Sequence, residues 1–459
     1  MSAIIRMSKP LTLAAMSLGF VVVQLDVTIV NVALPHIGSS LGGGVAGLQW
    51  VLNAYTLVFA AAILTAGALG DRLGAKRCFI IGFVVFTLAS VGCGLAPNLG
   101  VLISARAVQG LGAAVLVPCS LALLNHTFHD EHERTKAIGI WAAGASAALA
   151  AGPVVGGGLI AWIGWRSIFF VNLPLGIFGI WLTFRYAEES TQSRGRALDL
   201  AGQFIGMFAL ADLAAAMIEG GAVGWANPFV LIAFLLFVLA VVTFGLVEIN
   251  VQAPMLPVSL FKNQTFSAAT LIGLLMNTAF YGLIFMFSLY FQQVKRYTPL
   301  ATGLAFLPMT VVVLLANLSA GPIAARFGLR VPILIGQALI AMGCLTLIRI
   351  GQNSSYRVLG VQLLAMGAGV GLTVPPMTSA LLGTVDTKLS GVASGVLNAS
   401  RQAGSVVGVA LFGSLIERQR PFIPGIRMAL MISVGVLIAG CSSAFLIRPE
   451  KQGSKKHSV

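Results

Sequence analysis

One stretch of the sequence occurs twice, and this duplication decides the fold. Gly110-Leu-Gly-Ala-Ala-Val-Leu-Val-Pro118 returns 257 residues later as Gly367-Ala-Gly-Val-Gly-Leu-Thr-Val-Pro375. A second landmark, Gly67-Ala-Leu-Gly-Asp-Arg-Leu-Gly-Ala-Lys76, returns in degraded form at residues 321–330, which is 254 residues later. Because two unrelated landmarks share nearly the same offset, the sequence predicts two duplicated halves.

The composition indicates a membrane protein. The 459 residues are 58% apolar and 9% charged, with a mean hydropathy of +0.94, whereas soluble proteins carry roughly 25% charged residues. This excludes a soluble enzyme, a disordered chain and a coiled coil. A hydrocarbon core about 30 Å thick needs ~20 apolar residues per helix. Fourteen spans are predicted, near residues 11–35, 48–70, 78–96, 101–124, 137–161, 167–186, 199–218, 228–248, 266–292, 301–323, 331–349, 358–383, 392–416 and 427–447.

The duplication groups these spans into units. We expect an all-α membrane protein with two six-helix bundles, spans 1–6 and 9–14, and two inserted transmembrane helices between them. The N-terminal bundle is predicted to cover residues 1–190, the inserted helices 7 and 8 with their linkers 191–262, and the C-terminal bundle with a basic cytoplasmic tail 263–459. Parallel repeats of this kind place a substrate site near mid-membrane, between the halves.

Basic residues predict the orientation of the chain. The net charge of +14 is spread over many short connections, so no nucleic-acid surface is expected. With the N-terminus inside, 19 lysines and arginines fall on cytoplasmic connections and 8 on outer ones. This bias favours both termini in the cytoplasm. The apolar run 11–34 is too long for the core of a signal peptide, so we expect it to be a retained span.

A glycine-rich basic turn, residues 67–77, lies between spans 2 and 3 on the predicted cytoplasmic side. Its glycines permit a tight turn, and Asp71 can lie near a helix N-terminus, where the dipole favours an anion. We interpret this turn as a gating latch, since such interfaces are bistable; the alternative is a basic loop that only sets orientation. The latch residues are Gly67, Asp71, Arg72, Gly74, Lys76 and Arg77.

This turn resembles the signature G-x-L-x-D-R-x-G-x-[KR]-[KR] of the major facilitator superfamily. Leu25-Asp-Val-Thr-Ile-Val-Asn-Val-Ala-Leu-Pro35, Arg106-Ala-Val-Gln-Gly-Leu-Gly112 and Gly152-Pro-Val-Val-Gly-Gly157 resemble the span 1, span 4 and span 5 motifs of its fourteen-span drug/proton antiporter branch. Residues 390–404, at the start of span 13, resemble the stretch that enters span 13 in the same branch. The resemblance implies the major facilitator fold, a location in the bacterial inner membrane, and multidrug efflux driven by the proton gradient.

Asp26 and Arg106 are charged residues predicted to lie inside spans. A carboxylate in lipid is costly, so Asp26 is expected to face a cavity or stay protonated. Either Asp26 takes up and releases a proton in exchange for the substrate, or it is a structural acid that is paired with arginine or hydrogen-bonded to Thr28 or Asn31. For Arg106 the alternatives are a structural salt bridge and, as the resemblance implies, proton transfer between Asp26 and the cytoplasm. Gln109 shares its predicted helix face.

Two acids in the inserted helices are further candidates for proton coupling. Asp212 and Glu219 are seven residues apart and so share one helix face. They can couple only if they face the cavity. The alternative for Asp212 is a pairing with a neighbouring helix.

The span 5 motif combines small residues with a proline. Gly152, Pro153, Gly156 and Gly157 permit close helix packing and a bend. This packing either belongs to the antiport mechanism, as the resemblance implies, or is packing alone. Where the antiporter motif has a further glycine, this chain has Ala148.

A large apolar cavity with a few polar groups suits lipophilic cations, partly through cation–π contacts. Aromatic, methionine and amide residues within spans are therefore candidates, although each alone is more often core or lipid-facing. The cavity candidates are Asn31, Trp50, Tyr55, Gln109, Asn277, Tyr281, Phe285, Met286, Gln292, Asn398 and Arg401.

Neither the cysteines nor the histidines indicate a metal site. The five cysteines include no CxxC pair and lie in or beside apolar runs, which favours small buried side chains. His126, His129 and His132 are spaced by three residues on a cytoplasmic connection, for which a solvated loop is the favoured interpretation. We expect no metal and no cofactor.

The sequence predicts a secondary transporter that exports lipophilic, cationic compounds by alternating access. It contains no G-x-x-x-x-G-K-[ST] loop, so ion gradients supply the energy. The alternative is a proton-coupled carrier of a metabolite or organic anion, which needs basic residues such as Arg106 and Arg401 in the cavity. Neither an enzyme site nor a channel filter is indicated. The expected partners are the bilayer, small lipophilic substrates and protons, and the protein is expected to be a monomer.

Overall fold

The computed structural model describes residues 2–190, 199–251, 258–385, 389–418 and 422–447, and within them the chain is helical with short turns and no strand. A 3-10 turn at Val258–Lys262 precedes α10, and a π-helical turn at Tyr290–Val294 follows it. The helices are α1 (Ser2–Leu41), α2 (Gly44–Leu73), α3 (Ala75–Gly94), α4 (Leu99–Thr127), α5 (Glu131–Trp162), α6 (Ser167–Phe170), α7 (Asn172–Tyr186), α8 (Leu200–Ala222), α9 (Pro228–Asn250), α10 (Gln264–Leu289), α11 (Pro299–Phe327), α12 (Arg330–Leu347), α13 (Tyr356–Leu382), α14 (Ser390–Arg418) and α15 (Phe422–Ala444).

Thirteen helical segments of the described chain are long and apolar enough to cross a membrane. One of them, Ser167–Tyr186, is built from α6 and α7 together. Helix α14 has 29 residues, which is long enough to cross, but it is too polar to be one of the thirteen. It packs against α10, α2, α8 and α15, so its polar groups lie among other helices. The predicted fourteen spans therefore correspond to thirteen apolar segments and this polar helix.

Helix ends follow from capping residues and glycines. Asn98 and Asp130 precede α4 and α5, and each side chain accepts a backbone N–H of the first helical turn. Gly74 ends α2 at φ 98°, and Gly328 ends α11 at φ 82°, a backbone conformation that favours glycine. The two glycines are 254 residues apart, which is the offset of the repeated landmark. The duplicated halves thus turn at equivalent positions.

Helix packing repeats as the duplication predicts. In the first half α1 packs on α5, and α4 packs on α2 and α3. In the second half α10 packs on α14, and α13 packs on α11 and α12. The halves meet where α5 contacts α11 and α2 contacts α14. The predicted boundaries of the three units, after residues 190 and 262, stay predictions. The first boundary adjoins residues 191–198, which lie outside the described residues.

The two halves are joined near one end of the bundle. We call the end that carries the turns at 42–43 and 295–298 the closed end, and the end that carries Gly74 and Gly328 the open end. Five hydrogen bonds between the halves lie in the part of the helices nearer the closed end. They run from Gln49 to Val409 and Ala410, from Ser288 to Asn31, from Gln292 to Val32 and from Thr310 to Ala150.

Helices α5 and α11 separate towards the open end. At Gly139 of α5 and Gly321 of α11, an added β-carbon would have no neighbour within 4 Å. At Gly157 and Gly303, nearer the closed end, it would collide with the backbone of the other helix. The same pair of helices therefore touches at one end and leaves a gap at the other.

The inserted helices lie at the edge of this core. Ala214 and Ile218 of α8 pack against Leu57 of α2 and against Val406 and Ala410 of α14. Helix α8 thus covers the seam between the halves, and α9 packs on α8.

Candidate functional site

Asp26 of α1 and Arg106 of α4 form a buried ion pair. Arg106 Nη1 lies 2.5 Å from Asp26 Oδ2, and the two side chains are 1% and 0% exposed. The guanidinium also donates through Nε to the carbonyl of Val51, at 3.2 Å, and stacks on the Tyr55 ring with Cζ 4.2 Å from its centroid. Buried charges need such pairing, because an isolated one loses its hydration without compensation.

Two amides complete the shell around the Asp26 carboxylate. Gln109 Nε2 donates to Oδ1 at 2.9 Å, and Asn172 Nδ2 donates to the same oxygen at 3.2 Å. Both amides also donate to Ser90 Oγ, at 3.2 Å and 3.0 Å. With Arg106, the carboxylate accepts hydrogen bonds from three side chains, and each of these donors stabilises its negative charge.

The structure distinguishes the alternative partners of Asp26. Thr28 and Asn31 donate to backbone carbonyls of α1 rather than to the carboxylate, so arginine is the partner. Sequence reasoning missed Ser90 and Asn172, which are neutral residues inside apolar segments. Asn172 begins α7, directly after the interruption of the sixth span.

A small cavity lies between the halves. Thr28 and Asn31 of α1 and Pro153 of α5 line it from the first half, and Phe280 of α10 and Phe306 of α11 from the second. Asn31 is the predicted cavity residue that lines it.

Several other cavity candidates lie in packed regions. Phe285 and Met286 are fully buried in the apolar core of the bundle, Tyr55 lies beneath Arg106, and Gln109 belongs to the Asp26 network. Gln292 donates to the Val32 carbonyl near the closed end. These side chains are therefore not positioned to line an open cavity in this arrangement.

The remaining candidates divide into two groups. Trp50 Nε1 donates to Glu219 Oε1 at 3.3 Å, which places both residues at the contact of α2 with α8. Asn277 and Tyr281 lie on α10, and Asn398 and Arg401 lie half-buried on α14. Since α10 and α14 pack together, this second group lies within the C-terminal half.

The two acids of α8 are separate from the Asp26 network. Glu219 bonds to Trp50, as described. Asp212 is half-buried and forms no hydrogen bond or ion pair with any residue that the structure describes. Its predicted pairing with a neighbouring helix is therefore not seen in this arrangement.

The span 5 glycines bring α5 close to helices of both halves. A β-carbon at Gly152 would collide with Thr28 of α1, and one at Gly156 would lie 2.7 Å from Ile29 Cγ1. At Gly157 it would lie 2.6 Å from the carbonyl oxygen of Pro299 in α11. The motif therefore fixes a contact within the first half and also a contact between the halves.

The latch turn lies at the open end. Asp71 is exposed in the last turn of α2, so it is at a helix C-terminus and not at the predicted N-terminus. Glu189, which follows α7, takes that place: its Oε1 accepts the Lys76 N–H at 2.8 Å, and its Oε2 lies 3.7 Å from Arg77 Nε. Sequence reasoning missed Glu189. Gly67 faces Pro118 of α4, which also belongs to the first half.

Among the described residues, no group of three or more His, Cys, Asp or Glu side chains could hold a metal ion. The rings of His126 and His129 have centroids 6.1 Å apart.

Comparison with known proteins gives the family. The Major Facilitator Superfamily model matches residues 16–409. The chain is 38% identical to the methylenomycin A resistance protein of Streptomyces coelicolor, over 96% of this chain and 93% of that protein. It is 40% identical to the multidrug resistance protein Stp of Mycobacterium tuberculosis, over 88% of this chain and 75% of that protein. The nucleoside transporter NupG, 11% identical, has a TM-score of 0.68 over 95% of this chain and 99% of that chain, which is a likeness of fold.

These findings confirm the predicted family and the all-α membrane fold, and they indicate a transporter rather than an enzyme. These two relatives are named as antibiotic and multidrug resistance proteins, and the match covers 93% and 75% of their lengths. This chain belongs to the major facilitator superfamily, as an integral membrane protein related to its drug exporters.

Proposed function

We propose that this transporter exports lipophilic compounds in exchange for protons, with Asp26 as the coupling acid. The supporting observation is the fully buried Asp26 carboxylate, which accepts hydrogen bonds from Arg106, Gln109 and Asn172. Protonation removes the charge that these donors stabilise. It leaves the Arg106 guanidinium buried without its counter-ion, which is strongly unfavourable. A protonated Asp26 therefore favours another arrangement of α1 and α4.

Alternating access supplies the transport step. Gln49 of α2 donates to the carbonyls of Val409 and Ala410 in α14, at 2.8 Å and 2.6 Å, and so holds the closed end together. With both termini in the cytoplasm, as the basic residues predict, the open end faces the cytoplasm. The arrangement then corresponds to the state that loads cargo, with Asp26 ionised after releasing its proton inside.

The gating role of residues 67–77 belongs to the same proposal. Asp71 is exposed at the open end, where closure would bring the C-terminal half towards it. We expect Asp71 to gain a contact across the halves when the open end closes. Loss of that contact should slow turnover more than it weakens cargo binding.

The relatives' names, methylenomycin A resistance and multidrug resistance, support antibiotics as the cargo class. The expectation of a cationic cargo relied on an available carboxylate. Here Arg106 neutralises Asp26, so a cation gains this acid only after Arg106 has moved away.

Everted membrane vesicles with a fluorescent pH-gradient reporter test this proposal. With respiration on, ethidium, tetraphenylphosphonium, neutral lipophiles and a lipophilic carboxylate are added in turn. We expect at least one compound to discharge the gradient in the wild type. Asp26→Asn should abolish this discharge, and Glu133→Gln, which removes an exposed acid, should not.

A second variant separates coupling from folding. Asp26→Asn leaves Arg106 without its counter-ion, whereas Asp26→Asn with Arg106→Gln removes both charges together. The double variant should fold and still fail to couple. Coupled discharge by either variant would contradict the assignment of Asp26, and loss of discharge in Asp212→Asn instead would move the coupling acid to α8.

A further inference from the structure

Arg401 carries a positive charge that no described residue neutralises. Its Nε is buried without a hydrogen-bond partner, and none of the ion pairs among the described residues includes it. Arg401 as a whole is half-buried, and a buried donor atom without a partner costs free energy. A buried polar group without a partner in a native fold therefore calls for a functional explanation.

Arg401 lies on the strip of α14 that faces the space between the halves. Gly404 and Gly408 face the α10 backbone, and Gly413 faces Gln49 of α2. At roughly 100° per residue, Arg401 lies between these two faces of the helix. It lies about 180° from Ala410, which packs against the peripheral helix α8. The side chain therefore projects away from the periphery.

Helix α10 presents a matching stripe to Arg401. Gly273, Asn277 and Tyr281 are spaced by four residues and so lie on one helix face. A β-carbon at Gly273 would lie 3.2 Å from Arg401 Cγ, so the glycine makes room for the arginine stem. The Tyr281 phenol interacts electrostatically with Arg401 and with Tyr55. It forms no hydrogen bond with the described residues, so its hydroxyl is available as a second donor.

The acids of the membrane interior do not offset this charge. Asp26 is neutralised by Arg106, and Tyr55 stacks on that arginine. Asp212 lies on α8, which packs on the side of α14 opposite to Arg401. Among the described residues, the space between the halves therefore carries one uncompensated positive charge.

We propose that Arg401, with the Tyr281 hydroxyl as a second donor, binds the carboxylate of an acidic lipophilic compound. A guanidinium suits a carboxylate because its planar fork donates two parallel hydrogen bonds. Leu397 and Met377, which also lie beside Gly273, are buried and make the surroundings of the arginine stem apolar. This inference rests on the proposed export function and narrows its cargo to organic anions. It reverses the expectation of a cationic cargo, since Arg401 repels cations.

Three anthracene derivatives that differ in one substituent test the inference: a carboxylate, its methyl ester and an aminomethyl cation. Their uptake into respiring everted vesicles is followed by fluorescence, and their binding to the purified full chain by thermal shift. The wild type should transport the carboxylate at least tenfold faster than the amine. Arg401→Gln should reduce carboxylate transport at least tenfold and change ester transport less than twofold.

Further variants separate charge from geometry. Arg401→Lys keeps the positive charge but loses the planar guanidinium that donates two parallel hydrogen bonds. This variant should therefore retain part of the carboxylate transport. Tyr281→Phe should reduce it several-fold. Arg357→Gln, which removes an exposed arginine in the first turn of α13, is the matched control and should change nothing.

The outcomes separate this inference from the proposed function. Equal or faster transport of the amine, or carboxylate transport unchanged in Arg401→Gln, overturns the inference and leaves proton-coupled export standing. Failure of the wild type to bind or transport any of the three, together with no gradient discharge by any compound, overturns the proposed function and the inference with it.

Discussion

Gly157→Ala should shift the protein away from the arrangement seen here. A β-carbon at this position would lie 2.6 Å from the Pro299 carbonyl oxygen and 2.8 Å from Leu300 Cα. Because non-bonded carbon contacts are favourable only beyond about 3.4 Å, α5 and α11 must separate by roughly 0.8 Å at this point. Overpacking of this kind costs ~1–3 kcal/mol. This free energy destabilises the arrangement in which the halves are joined at the closed end. The equilibrium should therefore shift ~5–150-fold towards the arrangement in which the open end has closed.

Spin labels at the open end measure this shift. Positions 139 and 321 lie on α5 and α11, where an added side chain meets no neighbour within 4 Å. With the five native cysteines replaced, double electron–electron resonance gives the distribution of distances between the two spin labels at the open end. Gly157→Ala should enrich the shorter distances.

Two glycines on the same helix are the controls. At Gly144 a β-carbon would lie 3.5 Å from Val21 Cγ2, an ordinary contact, so Gly144→Ala should leave the distances unchanged. At Gly152 the collision is with Thr28 within the first half, so Gly152→Ala should lower the melting temperature without moving the distances. Identical distributions in Gly157→Ala and Gly144→Ala would refute the reasoning.

Three other changes test separate contacts. Gln49→Leu removes two hydrogen bonds at the closed end, each worth ~0.5–1.5 kcal/mol, so the same labels should report more of the shorter distances; no change would mean that these bonds persist in both states. Glu189→Gln weakens the carboxylate contact at the start of α3, a loss of ~0.3–1 kcal/mol, which should appear as a small fall in melting temperature with unchanged distances. Arg401→Gln removes a half-buried charge that no described residue neutralises, so the melting temperature should rise, and a fall would indicate that the guanidinium has a stabilising partner.

The repeat explains why so much of the fold could be predicted. The 254-residue offset places Gly74 and Gly328 at equivalent turns, and both glycines have positive φ angles in the structure. Apolar length predicted the helices, since a membrane span must satisfy its own backbone hydrogen bonds. It could not predict that the sixth span is interrupted between α6 and α7, because the break lies inside a continuous apolar run.

The site was harder to predict, because its contacts join distant parts of the chain. The rarity of charge within spans identified Asp26 and Arg106, but 80 residues separate them, and spacing alone cannot show that they pair. Ser90 and Asn172 went unnoticed because neutral polar residues occur often in spans. Glu189 was missed because it lies beyond α7, far along the chain from Lys76 and Arg77, which it contacts. The signature contains its own acid, Asp71, so the sequence did not indicate a second one.

Proton release on cargo binding tests the central claim most directly. The purified chain is held in weakly buffered solution with a pH indicator, and a compound that discharges the gradient in vesicles is added. If Asp26 is the coupling acid, cargo should draw the molecules with a protonated Asp26 into the loading state, in which Asp26 is ionised. The wild type and Asp212→Asn should therefore release protons on binding, and the double variant Asp26→Asn with Arg106→Gln should bind without release. Release of as many protons by the double variant as by the wild type would contradict the account.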